Sequence, residues 1–588
     1  MRRVRRLTKI ACCALFSSVI FNFTVDMHRA NANETFQPNK AAVSPAKDKS
    51  SEPWWKHAVF YEIYPRSFAD AKNTGTGNLA GITSKLDYLQ ELGVDAIWIT
   101  PCFPSPQVDF GYDISNYCDI APEYGTLEDF DKLVAEAQKR NIKVLMDFVM
   151  NHTSDKHPWF IESSSSKNNP KRDWYIWRDA KNGAVPNNWQ SIFGHSAWKL
   201  DPKTNQYYYH IFYTEQPDLN WRNPEVRKAM YDAARFWLNR GVAGFRMDAV
   251  GVLFEDPSLK DNPLIADGKP NAYGDPAMQN KYNDNLPEIH EVFRELRSVL
   301  DSYPNNPVLI GETTVKSEAE IKSLYGAKHD EIQLPMNFFF AYLNKLSAPD
   351  FRKRITEAEN MSASDWPLYF FSNHDERRHY DRYGDGKHND QIAKLTAALL
   401  LTLRGSPILY YGEELGMKNN DPKTIEDVKD PIGKLGWPEF KGRDGERTPM
   451  QWSPDKNAGF SEAEPWLPVA SSYTTYNVET ERKDPESILN FYKTLIKLRR
   501  DNEALTHGKL KLVGCENPHV LSYVRSTEKQ KILVCLNMSS QAQQLDLKEA
   551  SSGSALRTLF STMKDSPSNS PASNLSLAPY AVYLGELK

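Results

Sequence analysis

Seven polar residues stand where apolar runs of this sequence stop: Asp147, Asn151, His152, Asp248, Glu312, His374 and Asp375. Carboxylates and imidazoles are the groups that attack a carbon, move a proton or hydrogen-bond a substrate. The stretch GFRMDAV, Gly244 to Val250, poses the question most sharply. Phe245 and Met247 alternate there with Arg246 and Asp248, and side chains two apart leave a strand on one face. Buried charges are costly unless paired or used. Taken singly, Asp147 could cap a loop, His152 could be a satisfied core histidine and Glu312 could pair with an arginine. Their shared position at the ends of apolar runs argues for one site instead.

These residues end four of eight short β-branched and aromatic runs. The runs begin at Ala58 (AVFYEIYP), Ala96 (AIWITP), Ile142 (IKVLMDFV), Val242 (VAGFRMD), Val308 (VLIGET), Glu331 (EIQLPMNF), Pro367 (PLYFFSNHD) and Pro407 (PILYYGEE). Helical patterns lie between them. In GITSKLDYLQELG, Ile82, Leu86, Leu89 and Leu92 share a face and Gly93 is the stop, while Thr126 and Asp129 form a capping box ahead of Phe130, Leu133 and Val134. Strands alternating with helices imply parallel βαβ units, and eight of them imply an α/β fold closed as a (β/α)8 TIM barrel. Such a barrel builds its active site at the C-terminal strand ends, where the seven residues stand. The barrel is expected over residues 54–152 and 220–500, with a small inserted domain after strand three (153–219) and an inserted loop region after strand eight (413–468). Residues 501–588 change to short alternating runs, which suggests a C-terminal antiparallel β-sandwich.

The 588 residues are 40% hydrophobic and 25% charged, enough to bury a large core. A formal net charge of -4 gives no basic footprint for nucleic acid or an anionic membrane, so a small or neutral partner is expected. Many Trp, Tyr and Phe residues suit stacking on sugar faces, although ordinary core packing accounts for most of them. A basic head, an apolar run from Ile10 to Val25 and Ala30-Asn31-Ala32 read as a signal peptide over residues 1–32, so export to the periplasm or beyond is expected. The run is short for a spanning helix, which disfavours an uncleaved anchor. Residues 33–53 read as a disordered spacer. Cys102, Cys118, Cys515 and Cys535 would remain, either as two bridges in sequence order or as free thiols.

DFVMNH, GFRMDAV, IGET and SNHD, in this order at the ends of strands three, four, five and seven, resemble the α-amylase superfamily of retaining α-glycoside hydrolases, glycoside hydrolase family 13. QPDLNW and NNWQSIFGHSAW are similar to its oligo-1,6-glucosidase and α-glucosidase branch. Retaining hydrolysis needs one ionised carboxylate as nucleophile and one protonated carboxyl as acid, about 5 Å apart. The resemblance makes Asp248 the nucleophile, Glu312 the acid and base, and Asp375 the residue that holds the distorted sugar. Arg246 would keep Asp248 ionised. His152 and His374 would bond sugar hydroxyls, Tyr112 would stack beneath the ring, and Phe193 would also contact substrate. Asp109 and Arg447 match residues that close the pocket behind the non-reducing end, and the small Ala249 after Asp248 resembles 1,4-acting members, which together imply an exo-acting α-glucosidase that releases terminal α-1,4-linked glucose from maltose and short maltooligosaccharides.

Two departures stand out. Where the branch carries the metal loop DxNxDGxGD, this chain reads DAKNTGTGN with Lys72 in a ligand's place, so neither calcium nor any cofactor is expected. After SNHD the chain reads ERRHYDRYG, where glucosidases of the branch often show a Pro before the Arg; the Arg-Leu-Asp-Arg-Asp signature of sucrose isomerases is absent as well. An oligo-1,6-glucosidase, or a glucosyl-transferring enzyme that makes isomerised sucrose or trehalose, is the alternative reading. The inactive heavy subunits of amino-acid transporters share the fold, but they need a true membrane span. The sequence leaves chain-length preference and oligomeric state open.

Overall fold

A computed structural model describes residues 52–588 except 314, 362–364, 548–554, 565–568 and 572–574. The expected signal peptide and nearly all of the expected spacer lie outside the described residues. Among the described residues no helix is long and apolar enough to cross a membrane.

Eight parallel strands form the central sheet: β1 (Phe60–Ile63), β2 (Ala96–Ile99), β3 (Lys143–Val149), β4 (Gly244–Asp248), β5 (Val308–Gly311), β6 (Leu334–Pro335), β7 (Leu368–Tyr369) and β8 (Ser406–Tyr410). The order is β7-β8-β1-β2-β3-β4-β5-β6, and a parallel bridge between Met336 and Leu368 joins the two ends into a nearly closed barrel. All eight apolar runs supply a strand. β6 and β7 are shorter than their runs suggest; in β6 the ring of Pro335 offers no N–H to the ladder, and the Gln333 side chain accepts from Leu309 N at 2.7 Å in place of main chain.

Strand alternation divides the strand residues between two cores. Phe60, Ala96, Trp98, Leu145, Val308, Ile310, Leu334, Leu368 and Ile408 pack into one cluster. Tyr61, Ile97, Ile99, Val144, Met146, Phe148 and Phe245 pack into a larger one with the surrounding helices. Glu62, Asp147, Arg246 and Asp248 have the inward parity, so the polar side chains continue the inner column upward from its apolar base. Gly244 opens β4 at φ 150°, and a Cβ there would lie 2.2 Å from Val308 O, so only glycine lets β4 and β5 approach.

Helix Leu127–Lys139 starts on the Thr126 and Asp129 capping box. The run expected as one helix after Gly81 is two, Leu79–Ser84 and Leu86–Leu92, parted at Lys85 and ended by Gly93 at φ 96°. Between β3 and helix Pro224–Asn239, a three-stranded antiparallel sheet (Trp177–Arg178, Gln206–Tyr209, Trp198–Asp201) packs on its own aromatic core of Trp189, Trp198 and Tyr209. A long irregular stretch between β4 and helix Ile289–Asp301 braces it: Trp189 Nε1 donates to Lys260 O at 2.9 Å. The C-terminal domain is a six-stranded antiparallel sheet and a two-stranded sheet around a shared core that includes Val524, Leu545 and Leu577. All four described cysteines are free thiols, with Cys102 and Cys535 buried, so neither bridge suggested by sequence order is formed.

Candidate active site

At the upper end of the barrel one guanidinium organises three carboxyls. Arg246 is fully buried and donates through Nη1 to both oxygens of Asp147, at 3.0 and 3.1 Å, and to Asp248 Oδ1 at 2.7 Å. Its Nη2 lies 3.0 Å from Glu312 Oε1. The other Glu312 oxygen accepts from Ala249 N at 2.8 Å, an N–H turned toward it because Ala249 adopts φ 48°, ψ 44°. Asp248 and Glu312 are therefore set by the strand ends themselves and by one shared arginine.

The charge count has a consequence. Burial pushes Asp147 up to about 6, with Arg246 opposing and Glu312 assisting. Burial together with Glu312, Asp147 and Asp375 also pushes Asp248 well above the usual carboxylate range, against the pull of Arg246. Charge pairing alone thus does not hold Asp248 ionised, contrary to the expectation from sequence. Asp147 and Asp248 share one guanidinium, so a proton held there belongs to the pair rather than to one residue.

Asp375 sits in the opposite electrostatic setting. Burial would raise its carboxyl, but the guanidiniums of Arg443, Arg447 and Arg246 hold it well below the usual range. Arg447 Nη2 donates to Asp375 Oδ1 at 2.6 Å and Arg443 Nη1 at 3.1 Å. Asp375 is thus held ionised while the carboxyls on Arg246 are pushed toward their protonated forms.

The base of the site is a chain of hydrogen bonds. Tyr112 lies stacked on His374 with centroids 5.4 Å apart, and its hydroxyl donates to Asp147 Oδ2 at 3.1 Å. His374 Nε2 is 2.6 Å from the same hydroxyl, and its Nδ1 is 2.6 Å from Glu62 Oε1. Burial drives His374 down and Glu62 up, so this pair is neutral. Glu62 was missed in the sequence reading; the signal was a lone acid inside the apolar run AVFYEIYP. His152 is neutral as well, lowered by burial to about 3. Its Nδ1 lies 3.0 Å from Asn151 Oδ1, and Gln216 Nε2 lies 3.0 Å from its Nε2.

Gln216 Nε2 also donates to Asp109 Oδ2 at 3.2 Å, which ties His152 to the buried end of the site. The arginine on Asp109 is Arg443, whose Nη2 donates to Oδ1 at 2.8 Å while its Nε donates to buried Asp430 at 2.8 Å. Arg447, singled out from the sequence for this position, lies instead on Asp375 and the His374 carbonyl. Both arginines stand four apart in RDGERTPMQW, and only the turn between them decides which one reaches Asp109. Phe193 comes from the inserted sheet domain to face the Arg443 guanidinium at 5.5 Å, with Tyr213 at 4.5 Å.

The loop where the branch holds a metal is closed by hydrogen bonds. Asp70 Oδ1 accepts from Lys72 N and Asn78 Nδ2, and Oδ2 accepts from Thr74 N, Gly75 N and Ser461 Oγ, all at 2.6–2.9 Å. A cation there would meet hydrogen-bond donors where calcium requires oxygens, so these residues do not fit it.

Comparison with known proteins agrees with this geometry. The α-amylase catalytic-domain family matches residues 62–508, and the maltogenic amylase C-terminal domain matches residues 510–584. A probable α-glucosidase of Rhizobium meliloti is 43% identical over 503 residues, covering 84% of this chain and 91% of the relative. An oligo-1,6-glucosidase of Parageobacillus thermoglucosidasius is 40% identical over 520 residues, covering 83% and 91%. The solved structure of an α-glucosyl transfer enzyme superposes with a TM-score of 0.85 at 38% identity, covering 92% of this chain and all of that one. With the catalytic-domain family matched over residues 62–508 and the C-terminal domain over residues 510–584, the chain belongs to the α-amylase family and is a glycoside hydrolase.

Proposed function

We propose that the chain is an exported, retaining, exo-acting α-glucosidase that releases terminal α-1,4-linked glucose from maltose and short maltooligosaccharides. The observation that carries the reading is the joint hold of Arg246 on Asp248 and Glu312. One guanidinium spans the two carboxyls, a reach that suits the about 5 Å separation of a retaining pair. Asp248 attacks the anomeric carbon while Glu312 protonates the glycosidic oxygen, so the leaving sugar departs as a neutral alcohol. The glucosyl ester on Asp248 is then opened by water, whose proton passes to Glu312, and glucose leaves with its configuration retained. Asp375, held ionised by its two arginines, hydrogen-bonds the distorted ring. His152, His374 and Tyr112 line the same sugar, with Phe193 at the rim.

Exo action rests on the buried Asp109 and Arg443 pair, which occupies the far side of the site together with Gln216. Incubation of the purified mature chain with maltose, isomaltose and sucrose, with every product identified, tests the reading: glucose from maltose supports it, and inactivity on all three sinks it. A second reading keeps the site and passes the glucosyl group to another sugar, as the similarity to a glucosyl transfer enzyme suggests. New disaccharides in the same assay would favour it. Export is tested by locating the expressed chain and sequencing its N-terminus; a cytoplasmic chain starting at Met1 would reject it.

A further inference from the structure

The opposite end of the barrel holds a cluster that the catalytic reading does not use. His57 stands just before β1, and His507 follows the short helix Glu503–Thr506 at the entry to the C-terminal domain. Glu52 lies between them: its Oε2 is 2.9 Å from His57 Nε2 and 2.9 Å from His507 Nδ1. The two imidazole centroids are only 4.0 Å apart, and one ligand atom from each of the three residues falls within 4.8 Å of the others. Neither ring nitrogen of His57 has a hydrogen-bond partner, although both are buried. His57 Nε2 thus faces Glu52 Oε2 at 2.9 Å without a well-aligned hydrogen bond between them. The ring is set in place by Trp366, edge-on at 6.0 Å.

We propose that Glu52, His57 and His507 bind a zinc ion. Two imidazole nitrogens and one carboxylate oxygen are a zinc donor set, with bonds of about 2.0–2.2 Å and a fourth position for water. The set is too small and too rich in nitrogen for calcium, which takes about six to eight oxygens. The Glu52 and His507 side chains are exposed, so solvent reaches the position the ion would take. Lys56 occupies the other side of Glu52, 3.5 Å from Oε1, and so leaves Oε2 to the metal. The ion ties the segment ahead of β1 to the start of the C-terminal domain, away from the catalytic end. Its role is to hold the two together, with no part in the reaction.

Zinc alone, titrated by calorimetry into the full chain after chelator treatment and removal of the chelator, tests this. One zinc per chain is expected, with a rise in Tm. His507→Ala and Glu52→Gln, both at exposed side chains, should each weaken binding about tenfold or more and leave turnover by the zinc-free protein at the wild-type value. Absence of binding at roughly 100 μM zinc, far above the range of structural zinc sites, overturns the proposal. So does equal binding by wild type and both variants, which would place the ion elsewhere.

Discussion

Arg443 Nη2 donates to Asp109 Oδ1 at 2.8 Å, and both side chains are buried where the proposed glucose would end. The pair forms a wall only while both partners are present, because each would otherwise be a desolvated charge. Arg443→Gln should lower kcat/KM for maltose by about 2–5 kcal/mol, or about 30- to 5,000-fold, with KM carrying much of the change. Arg447→Gln acts through Asp375 and should fall mainly on kcat. Steady-state kinetics on both variants check this, and wild-type kcat/KM in Arg443→Gln would count against the closed-pocket reading.

Asp248→Asn and Glu312→Gln should each reduce turnover at least about 1,000-fold. Stability should move the other way. Three carboxyls share Arg246, so neutralising one removes repulsion that the fold otherwise carries, and Tm should stay level or rise. A large fall in Tm would mean that these residues serve the barrel more than the reaction.

His157 makes a pH-dependent contribution away from the catalytic groups. It caps helix Pro158–Ser165 by accepting from Trp159 N at 3.1 Å through Nδ1, and burial lowers it to about 3. A histidine depressed in the folded state takes up its proton on unfolding, so its contribution is complete above pH of about 6.5 and is lost as pH falls toward 3. The loss is about 1.4 kcal/mol per pH unit within that window. His157→Asn keeps a side-chain cap without the titration, so its denaturation midpoint should fall less than that of wild type between pH 7 and 4. Parallel curves would refute this.

Calcium should have no effect on the chelator-treated protein, because the Asp70 carboxylate is saturated by donors from Lys72, Thr74, Gly75, Asn78 and Ser461. Asp70→Ala should instead destabilise by about 1–3 kcal/mol through the buried groups it leaves unpaired. A calcium-dependent gain in Tm that disappears in Asp70→Ala would restore the loop as a metal site.

The barrel was legible because each strand is an apolar run, several of them ended by an exceptional polar residue, and strand parity then placed Arg246 and Asp248 on one face. What escaped was decided by loops. Nothing in the spacing of RDGERTPMQW tells which arginine reaches Asp109, since a local turn makes that choice. Glu62 escaped because its partner, His374, lies 312 residues away. The sign of the Asp248 shift also needed the fold: the sequence supplies the Arg246 pairing, but the desolvation that outweighs it arises only when the strands close around both.

Linkage preference is the sharpest remaining test, and it falls on Ala249, directly after the proposed nucleophile. In the branch that this chain resembles, 1,6-acting members read GFRMDV, with a bulkier β-branched residue, whereas many 1,4-acting members carry Ala or Thr. A small side chain at the strand end leaves space for the more compact α-1,4 leaving group, so maltose should be preferred to isomaltose by roughly 1–3 kcal/mol. The backbone adds a second consequence. Ala249 sits at φ 48°, where a β-branched side chain is strained, and its N–H holds Glu312 Oε2 at 2.8 Å. Ala249→Val should therefore lose about 1–2 kcal/mol of stability while lowering the maltose rate and raising the isomaltose to maltose ratio. A disturbed Glu312 alone would depress both substrates equally, so the ratio of the two specificity constants separates shape selection from damage to the acid. Wild-type preference for isomaltose, or an unchanged ratio in the variant, would remove Ala249 as the determinant.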